Sequence, residues 1–112
     1  MNIQIFGKRK CFDTQKAERY FKERKIKYQH IDILRFGLSK GELDNVKRAV
    51  GLENLINTDT KEYAALNLQF IRGEGMREEI LLKNPKLYHT PIVRNGKSAT
   101  VGFKPEVWKD WE

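Results

Sequence analysis

The chain has 112 residues, 39% of them hydrophobic and 33% charged, with a formal net charge of +7 and a pI near 9.6. This length predicts one domain around a single core, and no apolar run approaches the roughly 20 residues that span a bilayer. One cysteine, Cys11, excludes an intrachain disulfide; with an N-terminus unlike a signal peptide, it predicts a cytoplasmic protein in a reducing compartment.

In chain order, Asn2 to Phe6 predicts a short strand, followed by the basic loop Lys8-Arg9-Lys10 and then Cys11. DTQKAERYF predicts a helix capped by Asp13 or Thr14, with Ala17, Tyr20 and Phe21 on its apolar face and an end near Lys25. Ile26 to Ile33 is rich in β-branched and aromatic residues and predicts a second strand. The three pieces make a βαβ unit, whose strands should run parallel. In LSKGELDNVKRAV, Ser39 and Glu42 have capping-box spacing, and Leu43, Val46 and Val50 share a face up to Gly51.

GLENLINTDTKEYAALNL predicts one or two short helices, with Thr58 or Asp59 as the cap, and MREEILLKN predicts another helix stopped by Pro85. The last third changes period. Two strand-like runs flank Asn95-Gly96, the strongest two-residue hairpin signal, which predicts a type I′ turn. KPEVWKDWE predicts a helix with Pro105 near its start. Val107, Trp108 and Trp111 form its apolar stripe, and the tryptophans read as core anchors. The expectation is a single α/β domain over residues 1–112, with a helical insertion at about 39–85 in a small sheet.

The available chemistry is narrow. Cys11, His30 and His89 are the only soft ligands and lie far apart in sequence, whereas a zinc site takes three or four; no metal is expected. No phosphate-binding glycine loop follows a strand. Nine Lys or Arg face three acids between Lys8 and Lys27. No aromatic-basic platform accompanies that charge, so nucleic acid is not the expected partner and no membrane is either. The thiol remains. A free cysteine is ordinarily a small buried hydrophobe, but here it lies between a strand and a helix start. Unpaired N–H groups and the positive end of the helix dipole favour thiolate there. Lys8, Arg9 and Lys10 add positive charge, and Thr14 is placed to donate to the sulfur. The C-x-x-C partner position is Thr14, so an external thiol must resolve any mixed disulfide on Cys11.

Several stretches, in order, resemble the arsenate reductase-like (ArsC/Spx) family of thioredoxin-fold proteins. They are Cys11 with Thr14 three residues on, Lys16-Ala17, the strand Tyr28 to Ile33, LINTDTKEYAALNL, and NPKLYHTPIVRNGKSATVGFKPEVW. The resemblance implies a thioredoxin-like fold with Cys11 as the redox nucleophile. It implies no bound cofactor, and as co-substrate glutathione or a similar low-molecular-weight thiol, or a glutaredoxin-like protein. It also implies that Pro91 is the cis-proline beside the cysteine, with Thr90, Pro91 and Arg94 on the facing wall. Family members that reduce arsenate hold the oxyanion with arginines. The matching places here are Gln15, the Asp59-Thr60 region, Thr90 and Phe103, with Lys61 and Lys104 nearby. Threonine, phenylalanine and glutamine do not replace bidentate guanidinium contacts. The expectation is therefore a thiol oxidoreductase of this family, not an efficient arsenate reductase. The alternative is the Spx-like branch, which regulates transcription by binding the C-terminal domain of the RNA polymerase α subunit. Gly51 lies near the place of that contact, although a glycine there also serves as a helix C-cap.

Overall fold

A computed structural model describes residues 1–112. Its first strand, β1 (Ile3–Gly7), points Ile3 and Ile5 to one face and Phe6 to the other, all three buried. Helix α1 (Phe12–Glu23) buries Thr14, Ala17, Tyr20 and Phe21 as one stripe. Its cap is Cys11, not Asp13 or Thr14. Thr14 turns inward instead, and Asp13 stands in the first turn.

Strand β2 (Tyr28–Asp32) pairs in parallel with β1, as the βαβ reading requires. It is shorter than residues 26–33. The Asp32 carboxylate accepts the Leu34 N–H at 3.1 Å and starts a helical turn, α2 (Ile33–Phe36). Helix α3 (Lys40–Val50) opens on the expected capping box. The Ser39 hydroxyl accepts from the Glu42 N–H, and the Glu42 carboxylate accepts from the Ser39 N–H. It closes on Gly51, whose φ of 87° suits glycine.

Two short helices follow, α4 (Leu52–Leu55) and α5 (Lys61–Ala65). The cap of α5 is Thr60 rather than Thr58 or Asp59. Asn57 holds the preceding turn, accepting the Asp59 N–H on its side chain and the Thr60 hydroxyl on its carbonyl, so the helix starts later. After a 3₁₀ turn at Leu68–Phe70, α6 (Glu74–Lys83) runs to Asn84, and a second 3₁₀ turn takes Pro85–Leu87.

Strands β3 (Ile92–Asn95) and β4 (Ser98–Val101) form the expected hairpin. Its two loop residues are Gly96 and Lys97, because Asn95 pairs with Ser98. Only Gly96 has positive φ, 61°. This is the type II′ pattern rather than type I′ across Asn95-Gly96. Asn95 is engaged elsewhere: its side chain accepts the Asn2 N–H at 3.2 Å. Helix α7 (Pro105–Trp108) has Pro105 in its first turn and passes at once into a 3₁₀ turn, Lys109–Trp111. The change of pitch narrows the expected stripe. Trp108 is fully buried and Trp111 packs at the margin, while Val107 is exposed.

The sheet order is β2-β1-β3-β4, with β3 and β4 antiparallel to their neighbours, an α/β arrangement of the thioredoxin-like class. One face carries Ile3, Ile5 and Val93 against α1 and Trp108. The other carries Phe6 and Ile92 against Ile33, Leu43, Leu55 and Tyr88. The helices between β2 and β3 thus supply most of the core on that second face.

Candidate active site

Strand β1 delivers the chain to Gly7, and a three-residue loop turns it into α1. The turn is closed by the Cys11 N–H, which donates to the Lys8 carbonyl at 3.1 Å. Cys11 is the N-cap, in extended conformation, so its side chain lies beside the free N–H groups of the first turn. The sulfur is partly buried. Across from it the chain enters β3 through a cis Thr90–Pro91 bond, and the thiol donates to the Thr90 carbonyl at 3.6 Å. Thr14, only 2% exposed, stands in the first turn of the helix, where its hydroxyl accepts the Lys8 N–H at 3.4 Å and favours the Cys11 thiolate.

Partial burial opposes ionisation of this thiol. The Thr14 and Thr90 side chains and the backbone N–H groups of Thr14 and Asp13 outweigh that effect by hydrogen bonding to the thiolate. The pKa of Cys11 is held below the ordinary thiol value.

The basic loop behaves differently from the sequence expectation. Arg9 and Lys10 are exposed, and their side chains enter no hydrogen bond or ion pair. Lys8 folds back, and its ammonium donates to the carbonyls of Lys86 and Tyr88 at 3.1 and 2.9 Å. Burial pulls its pKa below the lysine value, and the negative charges of Cys11 and Glu62 oppose the fall. The sulfur's hydrogen bond is to the Thr90 carbonyl, and the groups that favour its thiolate are hydroxyls and backbone N–H groups, not the charges of the lysine and arginine run.

Arg94 does not join this wall. On β3, Ile92 pairs with Phe6 near the cysteine, whereas Arg94 pairs with Gln4, two residues further along. Strand alternation also sends Arg94 to the face opposite α1. There it donates to Asn45 at 2.8 Å and pairs with Glu42 at 3.5 Å. The oxyanion-arginine places are filled as the sequence indicated, by Gln15, Thr90 and Phe103, none of which carries a guanidinium.

Gly7 is a contributor that sequence reading did not single out. A β-carbon there would collide with the Thr14 side chain, so only glycine lets Thr14 reach its position. No spacing signal marks it, because the contact exists only once the chain has turned. Beside the thiol, a groove of about 620 Å³ is lined by Asp13, His89, Thr90, Gly102 and Lys104, and Phe12 stands 77% exposed on the rim of the helix.

The sequence pattern of the ArsC family matches residues 6–111. The global transcriptional regulator Spx 2 of Oceanobacillus iheyensis is 31% identical over 106 residues, covering 92% of this chain and 78% of that protein. The uncharacterized protein YusI of Bacillus subtilis is 27% identical over 115 residues, 98% of either chain. Among solved structures, an ArsC family related protein from Bacteroides fragilis has a TM-score of 0.86 at 27% identity over the whole of both chains. An arsenate reductase from Vibrio cholerae has a TM-score of 0.87 at 23% identity, covering 98% of this chain and 97% of its own. At that identity the Vibrio protein speaks for the fold alone.

Proposed function

The chain belongs to the ArsC family, and from that premise we propose that it is a thiol-dependent oxidoreductase with Cys11 as its single nucleophile. The observation that carries this reading is the place of one partly buried sulfur, at the N-cap of α1, beside Thr14 and against the cis Thr90–Pro91 bond. The Thr14 and Thr90 side chains and the N–H groups of Asp13 and Thr14 hold its pKa below the ordinary thiol value. Those groups satisfy a thiolate better than a thiol, and the thiolate is the reactive species.

In the proposed reaction the Cys11 thiolate attacks one sulfur of a substrate disulfide. The Cys11–substrate S–S bond forms, the old S–S bond breaks, and the second substrate sulfur leaves as a thiolate. An external thiolate, from glutathione, a similar small thiol or a glutaredoxin-like protein, then attacks the substrate sulfur of the mixed disulfide. Cys11 leaves as thiolate, which its lowered pKa favours. The electrons and sulfurs balance without a second cysteine. Arsenate is not the proposed substrate. Arg94 is committed to Asn45 and Glu42 on the other face of the sheet, and no guanidinium replaces the missing arginines at the sulfur.

The test is the rate of Cys11 alkylation by iodoacetamide against pH, with Cys11→Ser as the blank. The expected midpoint lies below the ordinary thiol value of about 8.5. A midpoint at or above that value, or no labelling of the folded protein, overturns the reading.

A second reading is a regulator that docks on a protein, its partner being the C-terminal domain of the RNA polymerase α subunit. The 31% identity to Spx 2 supports it. Under that reading Cys11→Ser leaves capture of the polymerase domain intact. A direct binding assay with that domain in which no complex forms sinks it.

A further inference from the structure

Lys8 is bonded to the groups around the Cys11 sulfur without touching the sulfur itself. Its carbonyl accepts the Cys11 N–H at 3.1 Å. Its own N–H donates to the Thr14 hydroxyl at 3.4 Å. Its ammonium spans to a segment about 80 positions away in sequence, donating to the Lys86 and Tyr88 carbonyls at 3.1 and 2.9 Å.

That segment is also held by a single antiparallel bridge. Asn57 N–H donates to the Leu87 carbonyl at 2.7 Å and His89 N–H donates to the Leu55 carbonyl at 2.8 Å. The carbonyls of Lys86 and Tyr88 take no part in this bridge. Pro85–Leu87 is a 3₁₀ turn and only Tyr88 beyond it is extended, so the Lys86 and Tyr88 carbonyls need a partner from outside the segment. The Lys8 ammonium is that partner, two residues before Thr90. We propose that Lys8 is a positioning residue for the Cys11 reaction: its ammonium ties the 3₁₀ turn and Tyr88 to the cysteine loop and thereby sets Thr90 against the sulfur.

The partial burial of the ammonium supports this role. An amine serving only as a mobile countercharge would remain in water, as Arg9 and Lys10 do. Lys8 instead accepts desolvation to reach two carbonyls, with Cys11 and Glu62 as the negative charges facing it.

The inference rests on the reactive-thiol reading, and the test separates the two. The readout is the alkylation midpoint of Cys11 in five proteins: unsubstituted, Lys8→Met, Thr90→Val, the double variant, and Lys8→Arg as the rescue. Lys8→Met is expected to raise the midpoint by about one pH unit, the scale of losing one hydrogen bond to a charged group. In the Thr90→Val background the same substitution should add less, because the hydroxyl is gone and only the carbonyl contact to the sulfur remains to be positioned. Lys8→Arg keeps donors for both carbonyls and should restore the low midpoint.

No shift on Lys8→Met, or an equal shift in both backgrounds, overturns the inference; equal shifts mean that Lys8 acts as a charge alone. An ordinary midpoint in the unsubstituted protein overturns the reactive-thiol reading instead. The strut itself is then judged without any substitution, by NMR of the lysine ammonium groups at low temperature. A Lys8 ammonium exchanging more slowly with water than that of exposed Lys10 supports the strut, and equal exchange overturns it.

Discussion

Gly7 lies so close to Thr14 that a β-carbon at position 7 would stand 2.8 Å from the threonine hydroxyl oxygen and closer still to its methyl group. The last residue of β1 and the third residue of α1 are thereby locked in register, which holds the Thr14 hydroxyl on the Lys8 N–H and close to Cys11. Gly7→Ala is expected to push Thr14 aside. The alkylation midpoint of Cys11 should rise, and stability should fall by about 1–3 kcal/mol from overpacking. Denaturant unfolding and the alkylation profile check the two effects separately.

The Cys11 thiol also links stability to pH. Its folded pKa is depressed, so the unfolded chain binds more protons between the folded value and the ordinary thiol value of about 8.5. The stabilisation is complete above that ordinary value and is lost as pH falls through the folded pKa. The stability difference between the unsubstituted protein and Cys11→Ser should therefore grow with rising pH across this window and then level off. Unfolding midpoints measured in parallel from pH 5 to 10 test the sign; a difference that shrinks with rising pH contradicts it.

Trp108 anchors α7 under the sheet, and its buried indole N–H donates to the Thr100 hydroxyl at 2.8 Å. Thr100→Val keeps the shape and removes the acceptor. The orphaned N–H should cost about 1–3 kcal/mol, read from urea unfolding.

Tyr88 presents the opposite case. Its ring is fully buried, yet its hydroxyl has no hydrogen-bond partner. Burial first, and then the Glu42 carboxylate, hold its pKa well above the phenol range, so it stays neutral. Tyr88→Phe removes a desolvated hydroxyl that makes no bond. It should leave stability unchanged or raise it by up to about 1 kcal/mol. A clear loss in urea unfolding contradicts the account.

Helix α1 ends in a Schellman arrangement. The Ile26 N–H donates to the Phe21 carbonyl at 2.9 Å, the Lys25 N–H to the Lys22 carbonyl at 3.0 Å, and Lys25 sits at φ 58°. A lysine in the left-handed region carries a steric penalty that glycine avoids. Lys25→Gly is expected to raise the thermal midpoint, by the equivalent of about 1 kcal/mol or less.

What the sequence alone determined is local. The stripe of Ala17, Tyr20 and Phe21, the Ser39–Glu42 capping box, the Gly51 terminus and the Pro105 start all follow from contacts within one or two turns. Such contacts depend on residue spacing alone. The placing of Cys11 at the seam of β1 and α1 was legible for the same reason, and so was the family resemblance. The caps at Cys11 and Thr60 and the type II′ turn were misjudged by one to three residues, because neighbouring Asx and threonine side chains compete for the same N–H groups.

Only the tertiary structure decided the surroundings of the sulfur. Thr90 reaches Cys11 across 79 positions, and Lys8 reaches Tyr88 across 80. Arg94 was excluded by strand pairing, since register with Gln4 and alternation along β3 put it on the far face against α3. Spacing along the chain carries no information about which strands pair or in what register. Those are set by how both faces of the sheet bury their apolar residues at once.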